Sequence, residues 1–387
     1  MAVVGRGMIG SAAARHLAES GVSTALVGAA APADYKSADG PFSSHHDEGR
    51  ITRVTSADPV WAELAARSIE RYEDIERRSG IDFHDPRGLV TVTAQSEEAV
   101  RLAVAQGAAA RMVDVDWVRA RTGIQIPQSL ADRIAWEEPP AGFVNPRRLV
   151  AAETRLAEIA GATVIDHPAA QVSEANSGWT VSGTWGELSA DRILFATGAY
   201  GAELIGVQLA LERRLRTVVL AELAGVHRDG LNIPSLIVNN MRSEHLDGVY
   251  WVPPVDFPDG TRCLKIGGGM VPVEVRATSE LRAWFNSGGS QLEAAGLTEA
   301  LRSLLPDATI AHTSMRPCVV TFTASGRPYV GRLSSNAAVA VGGCGAAAKS
   351  CDEIGRMAAS VVASSDGSTA DFGVLDESDF APIYEAA

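Results

Sequence analysis

Two arginines three positions apart are the side chains best suited to chemistry in this chain. Arg50 and Arg53 end the segment 44–53, which reads Ser-His-His-Asp-Glu-Gly-Arg-Ile-Thr-Arg. A guanidinium group is planar, permanently charged and bidentate, so it can hold a carboxylate or pack against a flat ring. The alternative is that both arginines form ion pairs with the nearby acids Asp47, Glu48 and Asp58. The adjacent histidines have no further ligand pattern, and we expect no metal site.

A glycine-rich turn precedes this segment. The apolar run 2–4 leads into Gly5-Arg6-Gly7-Met8-Ile9-Gly10 and then into an alanine-rich helix pattern that ends near Gly21. Strand, turn and helix in this order place backbone N–H groups and a helix N-terminus where a pyrophosphate can bind. The alternative is a glycine-rich turn in an ordinary α/β protein. The second strand is followed by Gly28 rather than by the usual ribose-binding acid, which favours FAD over NAD.

Taken together, the two motifs resemble the sarcosine oxidase family. That family groups monomeric sarcosine oxidase with N-methyltryptophan oxidase inside the wider D-amino-acid-oxidase-like flavoproteins. The resemblance continues in the family's order along nearly the whole chain, through the segments 248–253, 264–267, 316–321, 326–331 and 342–349. It implies an FAD-dependent enzyme.

The resemblance implies which residues bind FAD. Arg50 would pack against the isoalloxazine ring, and Cys318 would bond covalently to the flavin's 8α-methyl carbon. The N-terminus of the last helix would face the flavin N1 and C2=O, where negative charge accumulates on reduction. For Cys318 the alternative is a small buried apolar side chain in a strand. The other implied cofactor contacts are Gly5, Gly7, Gly10, Ser44, His45, Thr197, Gly198, Gly343, Gly345 and Lys349.

The resemblance also implies a substrate site. Arg53 and Lys349 would hold a substrate carboxylate, and Tyr250 would border the substrate. Lys265 would promote the reaction with O2, because its positive charge stabilises superoxide as it forms. Lys265 and Arg50 are thus the expected catalytic residues. The alternatives are that Lys265 extends from its strand towards solvent and that Tyr250 packs in the core.

Three small residues depart from the family pattern. Gly269 stands where the family often has a histidine in the catalytic site, and Ala346 and Ala348 replace a histidine and an aromatic residue beside the lysine. The smaller side chains predict a more open pocket. They leave the identity of the substrate undefined.

Composition narrows the choice of function. The 387 residues contain 47 acids and 34 bases, a net charge of −13, and no long basic run, so we expect no nucleic-acid partner. No long uninterrupted apolar segment or signal sequence is evident, which predicts a cytoplasmic protein that is not membrane-bound. The cysteines have no paired spacing, so neither a disulfide framework nor a zinc site is expected. They are Cys263, Cys318, Cys344 and Cys351.

The predicted fold class is α/β (α+β): a Rossmann-like FAD-binding domain of the glutathione-reductase type with an inserted antiparallel-sheet substrate domain. Hydrophobic periodicity predicts helices over 58–79, 145–159 and 346–362. Strands are predicted near 2–4, 23–27, 88–92, 178–182, 192–196 and 338–341. The expected FAD-binding domain is 1–82, 140–212 and 311–387, and the expected substrate domain is 83–139 and 213–310.

The favoured function is an FAD-dependent amine or amino-acid oxidase that transfers hydride from a C–N bond to the flavin and reduces O2 to H2O2. Its partners would be a small amine or amino acid and O2, and it would be a monomer or a small homo-oligomer. A flavin dehydrogenase, or a biosynthetic oxidase of a bulkier amino acid, is the alternative on the same fold. Two alternatives belong to other functional classes: a flavin-binding protein without turnover and an NAD-linked enzyme.

Overall fold

The computed structural model describes residues 1–32, 43–44, 46–176, 178–227, 233–243, 246–269, 273–364 and 369–385. The helices are α1 (Met8–Glu19), α2 (Pro59–Glu70), α3 (Tyr72–Ser79), α4 (Ser96–Ala105), α5 (Val115–Thr122), α6 (Pro146–Ile159), α7 (Ala202–Ile205), α8 (Thr278–Ser287), α9 (Gln291–Leu304) and α10 (Cys351–Ala363). A short 3-10 turn, Ala347–Lys349, precedes α10.

Strands alternate with these helices throughout the chain. They are β1 (Ala2–Val4), β2 (Ala25–Val27), β3 (Arg50–Thr52), β4 (His84–Asp85), β5 (Leu89–Val92), β6 (Ala110–Met112), β7 (Ile134–Glu137), β8 (Gly142–Val144), β9 (Thr163–Ile165), β10 (Gln171–Ala175), β11 (Gly178–Gly183), β12 (Gly186–Ala190), β13 (Ile193–Phe195), β14 (Leu211–Ala224), β15 (Ser235–Ser243), β16 (Leu246–Asp256), β17 (Arg262–Gly269), β18 (Val273–Val275), β19 (Thr309–Thr323), β20 (Tyr329–Ser334) and β21 (Ala337–Val341).

A six-stranded sheet in the order β20-β21-β13-β1-β2-β9 forms the first layer. The strands from β21 to β9 are parallel, and only β20 runs antiparallel, against β21. Short strands that are apolar throughout, such as β1, are typical of a parallel sheet covered on both faces. Helices α1 and α10 cover one face, and the small sheet of β10, β11 and β12 covers the other.

A nine-stranded, mainly antiparallel sheet forms the second unit, and its two faces differ in role. Tyr250 of β16 pairs with Gly267 of β17, so their side-chain positions share a face. Lys265 is two residues from Gly267 and lies on that same face. The opposite face packs against α9, through Val219, Ala221, Leu264, Ile266, Leu297 and Leu301. One face is thus a core, and the other is left for polar groups.

The predicted fold class is confirmed, because a parallel Rossmann-like sheet and a large antiparallel sheet are both present. The helix predicted over 58–79 is two helices, which meet at Arg71. The domain division stays a prediction. Strand pairing continues across the expected boundary at residue 311, since β19 pairs with β14 along its whole length.

A buried ion-pair network joins the helices behind the first sheet. Arg15 of α1 contacts Glu153 of α6 at 2.5 Å and also contacts Asp352 at the start of α10. Arg71 contacts Asp352 and, at 2.5 Å, Glu353. The three acidic side chains have no exposed surface, and burial raises the pKa of Glu153 to about 8. The network fixes the start of α10, directly after the loop that carries Lys349.

We expect Arg15→Met to lower the free energy of unfolding by about 3–5 kcal/mol, because it leaves Glu153 and Asp352 buried without their shared cation. Urea denaturation measures this loss. The matched control is Arg77→Met, since Arg77 pairs with Asp74 at the surface with side-chain exposures of 69% and 46%. The control should be unchanged within error. Equal effects of the two substitutions would contradict a stabilising role for the network.

Candidate active site

A large cavity opens at the carboxyl ends of the parallel strands of the first sheet. Gly5 after β1, Gly28 after β2, Thr197 after β13 and Gly342 after β21 all line it. The cavity encloses about 1320 Å³ free of protein atoms, including the part that is open to solvent. In open α/β sheets, ligands bind at this edge, where the strand order reverses. The position therefore marks a ligand site.

Three glycines shape the turn between β1 and α1, each for a different reason. Gly5 has φ +115°, and a Cβ there would lie 2.3 Å from the carbonyl oxygen of Ala196. A Cβ at Gly10 would lie 1.8 Å from the carbonyl oxygen of Gly5, so this glycine allows the helix to pack closely. A Cβ at Gly7 would meet no atom within 4 Å. Gly5 thus allows the tight turn, Gly7 leaves the backbone open to a ligand, and Gly10 allows close packing of the helix. A dinucleotide pyrophosphate requires all three features.

The cavity brings together most of the predicted cofactor contacts. Those that line it are Gly5, Gly7, Ser44, Arg50, Thr197, Gly198, Gly343 and Gly345. Gly10 lies behind the turn, and neither it nor Cys318 nor Lys349 lines the cavity, while His45 lies outside the described residues. The cavity is completed by residues that the sequence analysis did not single out, including Arg6 and Tyr200.

A buried carboxylate joins the two predicted catalytic cations. Asp47 Oδ2 accepts a hydrogen bond from Arg50 at 2.8 Å and lies 3.3 Å from Lys265 Nζ. Lys265 also donates to the carbonyl oxygen of Gly49. The Lys265 and Asp47 side chains are 0% and 1% exposed. Sequence reasoning considered Asp47 only as an ion-pair partner for the arginines, and it missed the contact with Lys265.

The charges in this cluster shift one another's pKa. Burial lowers the pKa of Lys265 to about 8, with a further decrease from the positive charge of Arg50 and an opposing increase from Asp47. Burial also disfavours the charge on Arg50, but the attraction of Asp47 and smaller contributions from Cys318 and Tyr250 together outweigh it and hold the pKa of Arg50 above its ordinary value. Of the two cations, Lys265 is therefore the one whose charge changes at a pH of about 8.

Two glycines allow the cluster to pack against the second sheet. A Cβ at Gly49 would lie 2.6 Å from Cγ2 of Val252 on β16. A Cβ at Gly267 would lie 2.5 Å from the hydroxyl oxygen of Tyr250, whose ring crosses that position. Lys265 Nζ lies 5.4 Å from the centre of the same ring. Burial raises the pKa of Tyr250, so its phenol stays protonated.

Cys318 lies beside Arg50 in strand β19. Its thiol is buried, and one Arg50 nitrogen lies 3.5 Å from Sγ. The Cys318 carbonyl oxygen accepts a hydrogen bond from the Trp284 indole at 3.0 Å. The next residues, Val319, Val320 and Thr321, line the cavity. Cys318 therefore places a thiol beside the Arg50 guanidinium, next to residues that line the cavity.

Arg53 and Lys349 form a second cationic pair with a different environment. No carboxylate of the described residues lies within salt-bridge distance of either group. Lys349 Nζ donates a hydrogen bond to the carbonyl oxygen of Trp61 at 2.9 Å. The charge of Glu137 acts on Arg53, but the Glu137 carboxylate accepts its hydrogen bonds from the backbone of residues 54 and 55. Burial, followed by the charge of Arg53, lowers the pKa of Lys349 well below its usual value. Glu137 and Asp58 partly oppose this shift through their charges, but neither carboxylate contacts Lys349 directly.

The alternative that both arginines form ion pairs with nearby acids holds, within the described part of the chain, for one of them only. Arg50 does pair with Asp47, whereas Arg53 has no such partner among the described residues. The sequence analysis missed Glu137 and Trp61. Trp61 was only a core position of the predicted helix over 58–79, and no sequence pattern marked Glu137.

The small residues that depart from the family pattern lie in open surroundings. Ala348 lines the cavity, and Ala346 is half-buried in the same loop. A Cβ at Gly269 would meet no atom within 4 Å. Across the described ranges, no group of three or more His, Cys, Asp or Glu side chains could hold a metal ion, and no helix is long and apolar enough to cross a membrane.

Two curated relatives are monomeric sarcosine oxidases. That of Streptomyces avermitilis is 29% identical over 222 residues, covering 55% of this chain and 56% of the relative. That of Bacillus sp. strain B-0618 is 27% identical over 214 residues, covering 52% of each. The matches thus span about half the length of these relatives.

Solved structures share the fold over the whole chain. NikD, described as an unusual amino acid oxidase essential for nikkomycin biosynthesis, superposes with a TM-score of 0.77 at 17% identity, covering 100% of this chain and 98% of NikD. Glycine oxidase from Geobacillus kaustophilus gives a TM-score of 0.70 at 20% identity, with coverage of 100% and 98%.

The family profile described as FAD dependent oxidoreductase, DAO, matches residues 1–361. This range includes the glycine turn, the Asp47 cluster, Cys318 and the loop before α10. The chain therefore belongs to the DAO family of FAD-dependent oxidoreductases.

Proposed function

We propose that this protein is an oxidase of a small amino acid, acting on the C–N bond of a secondary or primary amine and using O2 as the electron acceptor. The observation that carries the proposal is the pair of half-buried Arg53 and buried Lys349, which have no carboxylate partner in salt-bridge contact among the described residues. When bound, FAD accepts hydride from the substrate and passes the electrons to O2 with release of H2O2.

The residues at the first sheet fit FAD. The Gly5 N–H donates to the Val27 carbonyl oxygen, and the rest of the turn leads into the N-terminus of α1, which suits a pyrophosphate. Gly343 and Gly345 provide an open backbone in the loop before α10. Arg50, held by Asp47, lies at the cavity wall beside Cys318. These residues would bind and orient the cofactor.

The Arg53 and Lys349 pair suits a substrate carboxylate. A guanidinium and an ammonium with an anion between them form charge-assisted hydrogen bonds, which are stronger than neutral ones. A bound carboxylate would oppose the lowering of the Lys349 pKa and restore the ammonium charge. The substrate's carboxylate would in this way complete the charge balance of the site and fix the position of its amine.

The charge distribution argues against a protein base for the substrate. Asp47 is the carboxylate nearest to Arg50 and Lys265, and both cations contact its Oδ2. A carboxylate held by two cations is a poor proton acceptor. We therefore infer oxidation of a free-base amine by hydride transfer, which needs no proton abstraction from carbon.

A bulkier substrate is the second candidate. Gly269 and Ala348 leave space where larger side chains would narrow a pocket. A biosynthetic oxidase or a dehydrogenase with another acceptor would use the same cofactor site. Measuring H2O2 release with N-methyl, cyclic and aromatic amino acids distinguishes these candidates from an oxidase of a small substrate.

Cys318→Ser is expected to release the flavin on acid precipitation, whereas the wild-type protein keeps it with the polypeptide. The reason is that Cys318 would attach to the cofactor through a thioether, which serine cannot form. The absorbance of the supernatant and of the redissolved pellet measures the partition. Cys263→Ser is the matched control, because Cys263 is buried in another cluster. Flavin in the wild-type supernatant would rule out attachment but not flavin binding.

Lys265→Met is expected to slow reoxidation by O2 by on the order of a hundredfold, and reduction by substrate far less, because the charge is needed where superoxide forms. The wild-type reoxidation rate should fall as pH rises through about 8, where Lys265 loses its proton. The Met variant should show no such inflection. Stopped-flow absorbance separates the two half-reactions.

Asp47→Asn provides the companion test. It removes the negative charge that raises the pKa of Lys265, so the inflection in reoxidation should move to lower pH. An unchanged inflection would mean that another group titrates. Equal slowing of both half-reactions in Lys265→Met would assign a structural role to the lysine.

Arg53→Met is expected to cost about 2–5 kcal/mol in kcat/KM for an amino acid substrate and much less for the matching amide. The carboxylate loses its guanidinium partner in the first case only. Arg148→Met, on the exposed side of α6, is the control and should leave both substrates unaffected. If the wild type oxidises acid and amide equally well, Arg53 and Lys349 do not bind a carboxylate.

A further inference from the structure

The cavity end beside β2 has no acidic residue on that strand. Gly28 lines the cavity, at the position where dinucleotide-binding folds usually carry an Asp or Glu for the adenosine ribose. A Cβ at Gly28 would lie 2.5 Å from the backbone nitrogen of Arg6 and 2.7 Å from its Cβ. The backbone and Cβ of residue 6 therefore occupy the space that any side chain at position 28 would need.

An acid from the neighbouring strand lies close to this gap. Asp166 is the first residue after β9, which pairs in parallel with β2. Its Oδ1 accepts a hydrogen bond from the Ala30 backbone at 2.6 Å, two residues beyond Gly28. Because parallel strands end at one edge of a sheet, the carboxylate of Asp166 lies over the loop that follows β2. Pro168 and Ala169, just beyond it, line the cavity.

Arg6 connects Asp166 to the cavity. Its guanidinium Nη1 lies 3.1 Å from Asp166 Oδ1, and its Nε lies 3.5 Å from Thr154 Oγ1. Arg6 itself lines the cavity, and Nη1 is buried without a well-aligned hydrogen bond to the described residues. Among the described residues, the two contacts of Asp166 both use Oδ1 and leave Oδ2 for a ligand.

We propose that Asp166 accepts the hydrogen bonds of the adenosine ribose hydroxyls of FAD, and that Arg6 is the positioning residue that holds Asp166 at the cavity. In this proposal the acid lies at the end of β9 rather than at the end of β2, where the close approach of the residue 6 backbone leaves room only for Gly28. The inference rests on FAD as the cofactor and not on the proposed substrate or acceptor.

A simple surface ion pair would look similar but behave differently. The Asp166 side chain is 61% exposed, and an exposed pair of this kind contributes little to stability. A ribose contact, in contrast, affects only ligands that contain the adenosine half. FAD and FMN differ in that half, so comparing them isolates the contact.

The test titrates FAD and FMN into the full-length apoprotein carrying Cys318→Ser, which excludes covalent attachment. In this background Asp166→Ala is expected to raise the Kd for FAD about tenfold or more, the effect of a hydrogen bond to a charged group. The Kd for FMN should not change. Flavin fluorescence quenching measures both. Asp132→Ala, an acid whose side chain is 80% exposed on the other unit, is the matched control.

Arg6→Met tests the positioning role. It should weaken FAD binding alone but add nothing in the Asp166→Ala background, since both substitutions remove the same contact. Arg6→Lys should retain part of the affinity. An unchanged Kd for FAD in Asp166→Ala, or equal losses for FAD and FMN, would overturn the proposal. Substrate oxidation is not measured here, so the proposed oxidase function can fail independently.

Discussion

The site depends on one buried carboxylate between two cations. Asp47 contacts both Arg50 and Lys265, and neither Asp47 nor Lys265 has appreciable exposed surface. Two cations could not be buried this close together without an anion, because desolvation and mutual repulsion would both oppose their charges. The contact between Asp47 and Lys265 also joins the segment before β3 to strand β17. The same ion pair therefore balances the charges of the site and holds these two segments together. Loss of Asp47 would disturb both.

Close backbone approach makes this contact possible. Gly49 allows the segment to touch Val252, and Gly267 leaves room for the ring of Tyr250. These glycines have no positive φ; they are required because a side chain would collide with a neighbour. At the other end of the cavity, a side chain at Gly28 would likewise collide with Arg6. At all three positions a glycine allows a neighbouring residue to lie directly against the backbone.

The sequence predicts elements that follow one another along the chain, but it does not predict contacts between residues that are far apart in sequence. The strand, glycine turn and helix of 2–19 follow one another directly, so their pattern predicts a Rossmann start and the cavity at its edge. The contact between Asp47 and Lys265 joins residues 218 positions apart and leaves no periodic signal. Arg71, where the predicted helix is divided, likewise contacts Asp352, 281 residues away. A family resemblance named the cations, but only the structure distinguishes the partnered pair from the unpartnered one.

Because only one pair has a carboxylate of the described ranges as its partner, the two cation pairs suit different roles. Arg50 and Lys265 are balanced by an acid of the protein, so their charges are present whether or not a substrate is bound. Arg53 and Lys349 lack such an acid among the described residues, and the pKa of Lys349 is depressed until an anion arrives. A permanent pair suits a cofactor and an acceptor that are used in every turnover. A pair completed by its ligand suits a substrate that must bind, be fixed in position and leave.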